Sequence, residues 1–488
     1  MKTYSREQFV KDVTAGIIVA IIALPLSIAL ALASGVGPEA GIFTAIVAGF
    51  VISALGGSSV QIAGPTAAFA TIVAGIVAKN GLDGLVIATI LAGIFLILMG
   101  LCHFGTLIRF IPYTITTGFT AGIAVTIVIG QLKDFFGVTY PDGVKPIETM
   151  EKLHAFVENC GTVNLSAVIV GVVSLAILII SPYIFKKIPG SLLAVVAGIL
   201  MVKFLPLKAS TIGDLYSISN ALPGFHLPAL SFAAVEDAIP NAFTIAVLAA
   251  IESLLSCVVA DGMINGKHRS DMELVAQGAG NIASALFGGI PATGAIARTA
   301  ANIKNGGRTP IAGMVHSITL VLVLVVLMPY AGMIPMPTIA AILFVVAYNM
   351  CQWRPFAHLI QTAPKSDILV LLVTFFLTVV FDLVVAIEIG MLLTCLLFMK
   401  RMSDETHVDS WTYVDDDSDA VNDHMQKLAK EIRVYEITGP LFFGAANAIE
   451  HIVVKDFTKC LVLRMRSVPA IDSTAMNALQ NLVKYCEA

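Results

Sequence analysis

Two charged residues stand where the chain can least accommodate a bare charge, and both suit binding an anion rather than breaking a bond. Glu252 lies within Phe243–Ala260, a stretch with no other charged side chain. A carboxylate there costs about 2.5–3.5 kcal/mol on insertion scales unless it is paired, protonated or facing water. Arg298 comes about one turn after the segment Gly289-Ile290-Pro291-Ala292-Thr293-Gly294. It offers a fixed positive charge to a bound anion. A salt bridge to Glu252, or snorkelling beside Lys304 and Arg308, is the structural alternative.

A matching segment, Ala63-Gly64-Pro65-Thr66-Ala67-Ala68, occurs in the first half. Each segment places a helix breaker and a Pro-flanked, hydroxyl-bearing turn ahead of a short apolar helix, Phe69 to Ala78 and Ala295 to Ile303. A helix that starts partway across a membrane exposes N–H groups and the positive end of its dipole. Two such starts, one in each half, point to a midplane anion site of a secondary transporter. Thr66, Ala67, Thr293 and Gly294 would present N–H groups and hydroxyls to substrate, in the geometry an ordinary helix cap also uses. Ser256, one turn after Glu252, either helps hold a cation or bonds back to its own helix.

These residues need a membrane frame, and the composition supplies one. Of 488 residues 57% are hydrophobic and only 13% charged, with a mean hydropathy of +0.89. Nearly uncharged runs such as Val13–Ser34, Gly84–Leu101, Ala167–Ile184 and Met314–Tyr330 can each cross a bilayer as a helix. With shorter Gly/Pro-interrupted runs the count is about fourteen, or seven per half. The first run is too long for a signal peptide and reads as a span. An odd number per half requires inverted repeats. Loop charges fit that with Lys2, Arg6 and Lys11 inside, joined by His103/Arg109, Lys186-Lys187, Lys267-His268-Arg269, Lys304/Arg308, Arg354/Lys365 and Lys400-Arg401. Val138–Val163 and Leu207–Pro240, richer in acids, read as outside loops. Asp261 reads as a cap or gate contact, and Asp382 and Glu388 as a hinge between two spans.

Seven scattered cysteines show no paired spacing, so neither a disulfide framework nor a zinc site is expected. No nucleophile with a base and no nucleotide loop appears in the soluble parts, which argues against an enzyme, a cofactor or a nucleic-acid partner. The transporter region is read as 1–402, with repeats at about 10–206 and 238–402. An acidic linker, 403–430, contains Asp415-Asp416-Asp417 and Asp419. From Glu431 to the last residue, 488, the pattern is soluble α/β: strands Ile432–Glu436 and Lys459–Met465, helices Ala445–Val454 and Thr474–Cys486. Its roughly 57 residues are few for an independent domain, so an incomplete domain is expected.

Together, Ala23-Leu24-Pro25-Leu26-Ser27-Ile28-Ala29-Leu30, Gly64-Pro65-Thr66-Ala67-Ala68, Ile251-Glu252-Ser253-Leu254-Leu255 and Ala297-Arg298-Thr299-Ala300-Ala301-Asn302 resemble the SulP (sulfate permease) family of anion transporters, in look nearest its bacterial C4-dicarboxylate branch. Ile437 to Phe443 and Ile471-Asp472-Ser473 resemble the STAS domain that follows the membrane domain in that family. The resemblance implies an all-α polytopic fold of fourteen spans in seven-plus-seven inverted repeats, with core and gate domains as in uracil permease-like transporters. It also implies a partial α/β STAS domain, a homodimer, and Glu252 beside both substrate and coupling ion. Leu26 and Ala297 stand where many sulfate-transporting relatives carry Gln and Ser, which weakens a specific assignment to sulfate at Ala297 and its neighbours. Ser473 matches a phosphorylatable position of soluble STAS proteins, or serves the helix cap, and a cytoplasmic partner could bind through this domain.

Moving a negative charge inward against an inside-negative potential costs about 2.3 kcal/mol per 100 mV, and a dianion twice that. Uptake therefore needs a co-transported cation or a counter-anion. A proton on Glu252 relieves its repulsion with a neighbouring anion, which favours proton symport of sulfate or a C4-dicarboxylate across the cytoplasmic membrane, with both termini inside. Sodium-coupled bicarbonate symport and anion exchange are the alternatives, and an anion channel, a nucleobase permease or a STAS-based sensor are readings of other classes.

Overall fold

The structure, a computed structural model, describes residues 4–106, 112–141, 146–184, 189–205, 207–219, 221–228, 231–381, 383–411, 431–444, 449, 452, 454 and 458–487. Arg109, Asp142, Lys145, Lys186, Lys187, Asp382, the acidic run from Asp415 to Asp419 and most of the expected helix Ala445–Val454 lie outside the described residues.

The chain forms two compact units, Met1–Gly390 and Met391–Ala488. The first half of the membrane unit runs α1 (Arg6–Ala33), α2 (Pro38–Leu55), β1 (Ala63–Gly64), α3 (Ala67–Leu101), α4 (Tyr113–Phe136), α5 (Thr149–Glu158), α6 (Leu165–Ile184), α7 (Gly190–Phe204) and the short α8 (Ile212–Leu215). The second half runs α9 (Phe232–Ile264), α10 (Ser270–Leu286), β2 (Thr293–Gly294), α11 (Ile296–Lys304), α12 (Pro310–Ala331), α13 (Met336–Cys351), α14 (Trp353–Thr362) and α15 (Lys365–Val380), then α16 (Leu383–Asp404). Gly81, at φ 72° and ψ −173°, breaks α3 into a short first helix and a full span. Such a φ is open to glycine at little cost.

Packing partners are exchanged between the halves. α1 lies on α12 as α9 lies on α3, α2 on α12 as α10 on α3, and α4 on α15 as α13 on α6. Two structurally repeated halves produce this pattern. Among the described residues, eight helices are long and apolar enough to cross a membrane. The expected fourteen included shorter or interrupted pieces as well, among them α10 with 17 residues, α11 with 9 and α15 with 16.

Two stretches expected to be loops are partly helical. α9 starts at Phe232, well before Phe243, because the Ser231 hydroxyl accepts the Ala234 N–H (3.2 Å), and it keeps Pro240 inside. α5 forms within 138–163 because the Glu151 carboxylate accepts the N–H groups of Ile147 and Glu148 (3.0 and 3.2 Å). Both stabilise a first helical turn whose amides have no partner of their own.

The second unit holds β3 (His407–Trp411), β4 (Ile432–Thr438), β5 (Cys460–Ser467) and α17 (Ser473–Glu487). β3 pairs antiparallel with β4, and β4 pairs parallel with β5. β3 lies inside the stretch read as a linker, its alternating His407-Val408-Asp409 pattern masked by neighbouring acids. Tyr435, Ile437, Leu441, Ile449, Ile452 and Ala475 form its core. Asp472, not Ser473, caps α17 by accepting the Ala475 N–H (2.8 Å). Ser473 is exposed on the first turn.

Candidate anion site

The polar face of α10 builds the scaffold. Glu273, Gln277, Asn281 and Ser284 recur every three or four residues, and all are fully buried. Glu273 accepts from the amides of Gly57 and Ser58 (2.8 and 3.1 Å) and the side chains of Gln61 and Gln277 (2.8 and 2.9 Å). Asn281 brackets Ala292, accepting its N–H (2.8 Å) and donating to its carbonyl (2.9 Å). Ser284 donates to the Ile290 carbonyl (2.8 Å). From α11, Thr299 accepts the Ile62 N–H (3.0 Å) and Asn302 donates to the Val60 carbonyl (2.9 Å). The chain leading into each short helix is thus fixed by side chains of the second half.

Between these clamps β1 and β2 pair antiparallel, Ala63 opposite Gly294 and Gly64 opposite Thr293. The ladder places the starts of α3 and α11 side by side, as the repeated motif predicts. Neither start is capped by its own side chain. Thr66, at the N-cap of α3, makes no cap bond, and α11 has Ala295 there. The first amides of both helices therefore keep their donors available to an anion.

Arg298 sits one turn inside α11 and is 1% exposed. Its Nη2 donates to the Ser27 hydroxyl (3.2 Å) and the Pro65 carbonyl (3.3 Å), while Nε and Nη1 have no partner. A β-carbon on Gly64 would collide with Nη1, so the guanidinium reaches the first start because residue 64 has no side chain. No ion pair joins Arg298 to Glu252 among the described residues. The salt-bridge alternative is therefore not the arrangement found, and full burial disposes of snorkelling.

Glu252 is half-buried on α9 and accepts one hydrogen bond, from the Thr66 hydroxyl (2.8 Å). Its environment contrasts with that of Glu273, which has four donors. A carboxylate so thinly held has room for a proton or a cation.

Not every expected contact faces the site. The Thr293 hydroxyl is shared with Ser253 (2.6 Å) and donates to the Ala249 carbonyl (3.2 Å), and the Gly294 N–H donates to Ser253 (3.1 Å). Both are internal ties. Ser256 donates to Thr299 (3.4 Å), away from Glu252. Ala67 is buried behind Thr66, whereas Ala297 is exposed on the first turn of α11. Sequence reasoning missed Ser27, Ser253 and the α10 face. The last carried a readable signal in its polar spacing. Among the described residues no group of His, Cys, Asp or Glu could hold a metal ion.

Comparison with known proteins shows the family and the fold. The sulfate permease family pattern matches residues 9–374, and the STAS domain pattern matches residues 426–488. The chain is 41% identical to a putative sulfate transporter, YvdB, of Bacillus subtilis (strain 168), over 99% of this chain and 90% of that protein. It is 32% identical to the bicarbonate transporter BicA of Picosynechococcus sp., over 97% of this chain and 86% of that protein. The transmembrane domain of a cyanobacterial BicA superposes with a TM-score of 0.71 at 30% identity, covering 78% of this chain and 98% of that one. Murine Slc26a9, at 18% identity, shares the fold with a TM-score of 0.87 over 100% of this chain and 85% of that one. With paired helix starts, a buried arginine and a matching C-terminal unit, the chain is a multi-pass membrane protein of the sulfate permease (SulP) family, a secondary anion transporter and not an enzyme.

Proposed function

We propose that this protein imports a small oxyanion dianion, sulfate before C4-dicarboxylates, together with protons across the cytoplasmic membrane. The observation that carries this reading is the pairing of a buried guanidinium, two of whose donor atoms are unpartnered, with a carboxylate held by a single hydrogen bond. An oxyanion accepts from Nε and Nη1 of Arg298 and from the free amides at the starts of α3 and α11. Glu252 takes a proton as the anion arrives, which removes the repulsion between them and part of the cost of moving charge against the membrane potential. The 41% identity to a putative sulfate transporter supports sulfate.

The relation to bicarbonate transporters supports a second reading, in which Glu252 and the Thr66 hydroxyl hold sodium and the anion is bicarbonate. Uptake of labelled sulfate, succinate and bicarbonate into proteoliposomes, under a pH gradient and then a sodium gradient, separates the two. Sulfate uptake driven by the pH gradient and abolished in Glu252→Gln is the expected result. Undiminished gradient-driven uptake in that variant removes Glu252 from coupling.

A further inference from the structure

A cavity of mixed polar and apolar lining lies away from the central site. Its volume is about 330 Å³, and its wall includes Thr71 and Lys79 of α3, Thr126 of α4, Glu148 and Lys152 at the start of α5, and Thr378 of α15. At about 30 Å³ per water it has room for an oxyanion that keeps part of its hydration shell.

Three features give this cavity a positive character. Lys152 is half-buried, and neither it nor Lys79 pairs with a carboxylate among the described residues. The neighbouring Glu151 points its carboxylate at the amides of Ile147 and Glu148 and does not line the cavity, although its charge still acts on Lys152. Two ammonium groups thus face the cavity against the single carboxylate of Glu148. Burial holds the Lys152 ammonium below the ordinary lysine range, and the nearby Glu151 carboxylate offsets part of that shift.

Position connects the cavity to the site. Thr71, Gly75 and Lys79 recur every four residues on the first part of α3, and the same stripe begins at Ala67, the first helical residue. At 1.5 Å per residue the distance from Ala67 to Lys79 is about 18 Å. The row of residues four apart therefore winds about a third of the way round α3, over about 18 Å, between the free amides of the helix start and a lysine at the cavity.

We propose that this cavity is an anion-capture subsite on the access route from the α5 side, with Lys79 and Lys152 as its cationic groups. The route rests on the anion-transport reading above, whereas the binding character of the cavity does not. A positively lined cavity raises the local concentration of an incoming anion without fixing it tightly.

Two measurements on the full chain test it. In intact cells, initial uptake of sulfate, succinate and bicarbonate is compared for wild type, Lys79→Gln, Lys152→Gln, the double variant and Lys152→Arg. For the transported anion, KM rises on the order of threefold or more at low salt in the neutral variants, the maximal rate stays near wild type, and arginine restores KM. An unchanged KM in the double variant, or a loss of maximal rate at constant KM, overturns the proposal. Separately, Thr71→Cys is labelled with anionic and cationic thiosulfonates and read at that position by mass spectrometry. The anionic reagent reacts faster by on the order of tenfold, and the preference disappears when both lysines are neutralised. Equal rates overturn the subsite, whereas a clear preference without uptake of sulfate, succinate or bicarbonate supports it and overturns the transport reading.

Discussion

The starts of α3 and α11 are the same device built twice, yet they are finished differently. At the α3 start a threonine hydroxyl reaches outward to Glu252 on α9. At the α11 start the N-cap is Ala295, the motif threonine Thr293 lies two residues earlier and is turned inward to Ser253 and Ala249, and the polar contribution comes from Arg298 further on. The two halves supply equivalent dipole ends, and different side chains finish them. One end is linked to the carboxylate that suits a coupling ion, the other to the fixed charge that suits the anion.

The sharpest way to break this division is Arg298→Met. Charge-assisted hydrogen bonds are worth about 1.5–3 kcal/mol each, so anion affinity falls by about 10- to 100-fold or more, measured by equilibrium binding to the purified protein. Lysine restores little, because a single ammonium cannot copy the fork that spans Ser27, Pro65 and a ligand. Gly64→Ala comes next. Its methyl group displaces Nη1 at a cost of about 1–3 kcal/mol, so binding weakens roughly fivefold or more while Arg298 remains present. A wild-type affinity in this variant would mean that Nη1 plays no part in holding the anion. Thr66→Val is the mildest. Loss of one hydrogen bond, about 1 kcal/mol, alters the response of uptake to the driving gradient and leaves anion affinity close to wild type. An equal loss of affinity in Thr66→Val and Gly64→Ala would erase the distinction between the two ends.

Much of this arrangement is legible in the sequence, for identifiable reasons. Gly-Pro-Thr and Pro-Ala-Thr-Gly inside apolar runs announce helix starts because no other local structure satisfies that composition in lipid. Glu252 and Arg298 are conspicuous because charge is expensive there. The direction of a hydroxyl carries no such signal. Ser253 and Ser256 both lie close to Glu252 in the chain, and only the crossing of α9 with β2 decides that Ser253 meets Thr293 while Ser256 meets Thr299. Ser27 is equally inconspicuous, since its value depends on an arginine 271 positions away. β3 was obscured by the acidic residues around it and is identified by its pairing with β4.

The two-residue ladder between β1 and β2 is small, but it restricts how cargo can be released. Ala63, Gly64, Thr293 and Gly294 bind the two helix starts to each other through the backbone, and side chains from α10 and α11 anchor the approaches. A grip made this way does not loosen by opening its own jaws, because separating them would strand paired amides where no water waits to replace them. Release must come from the walls around the grip shifting until one side or the other lets water in.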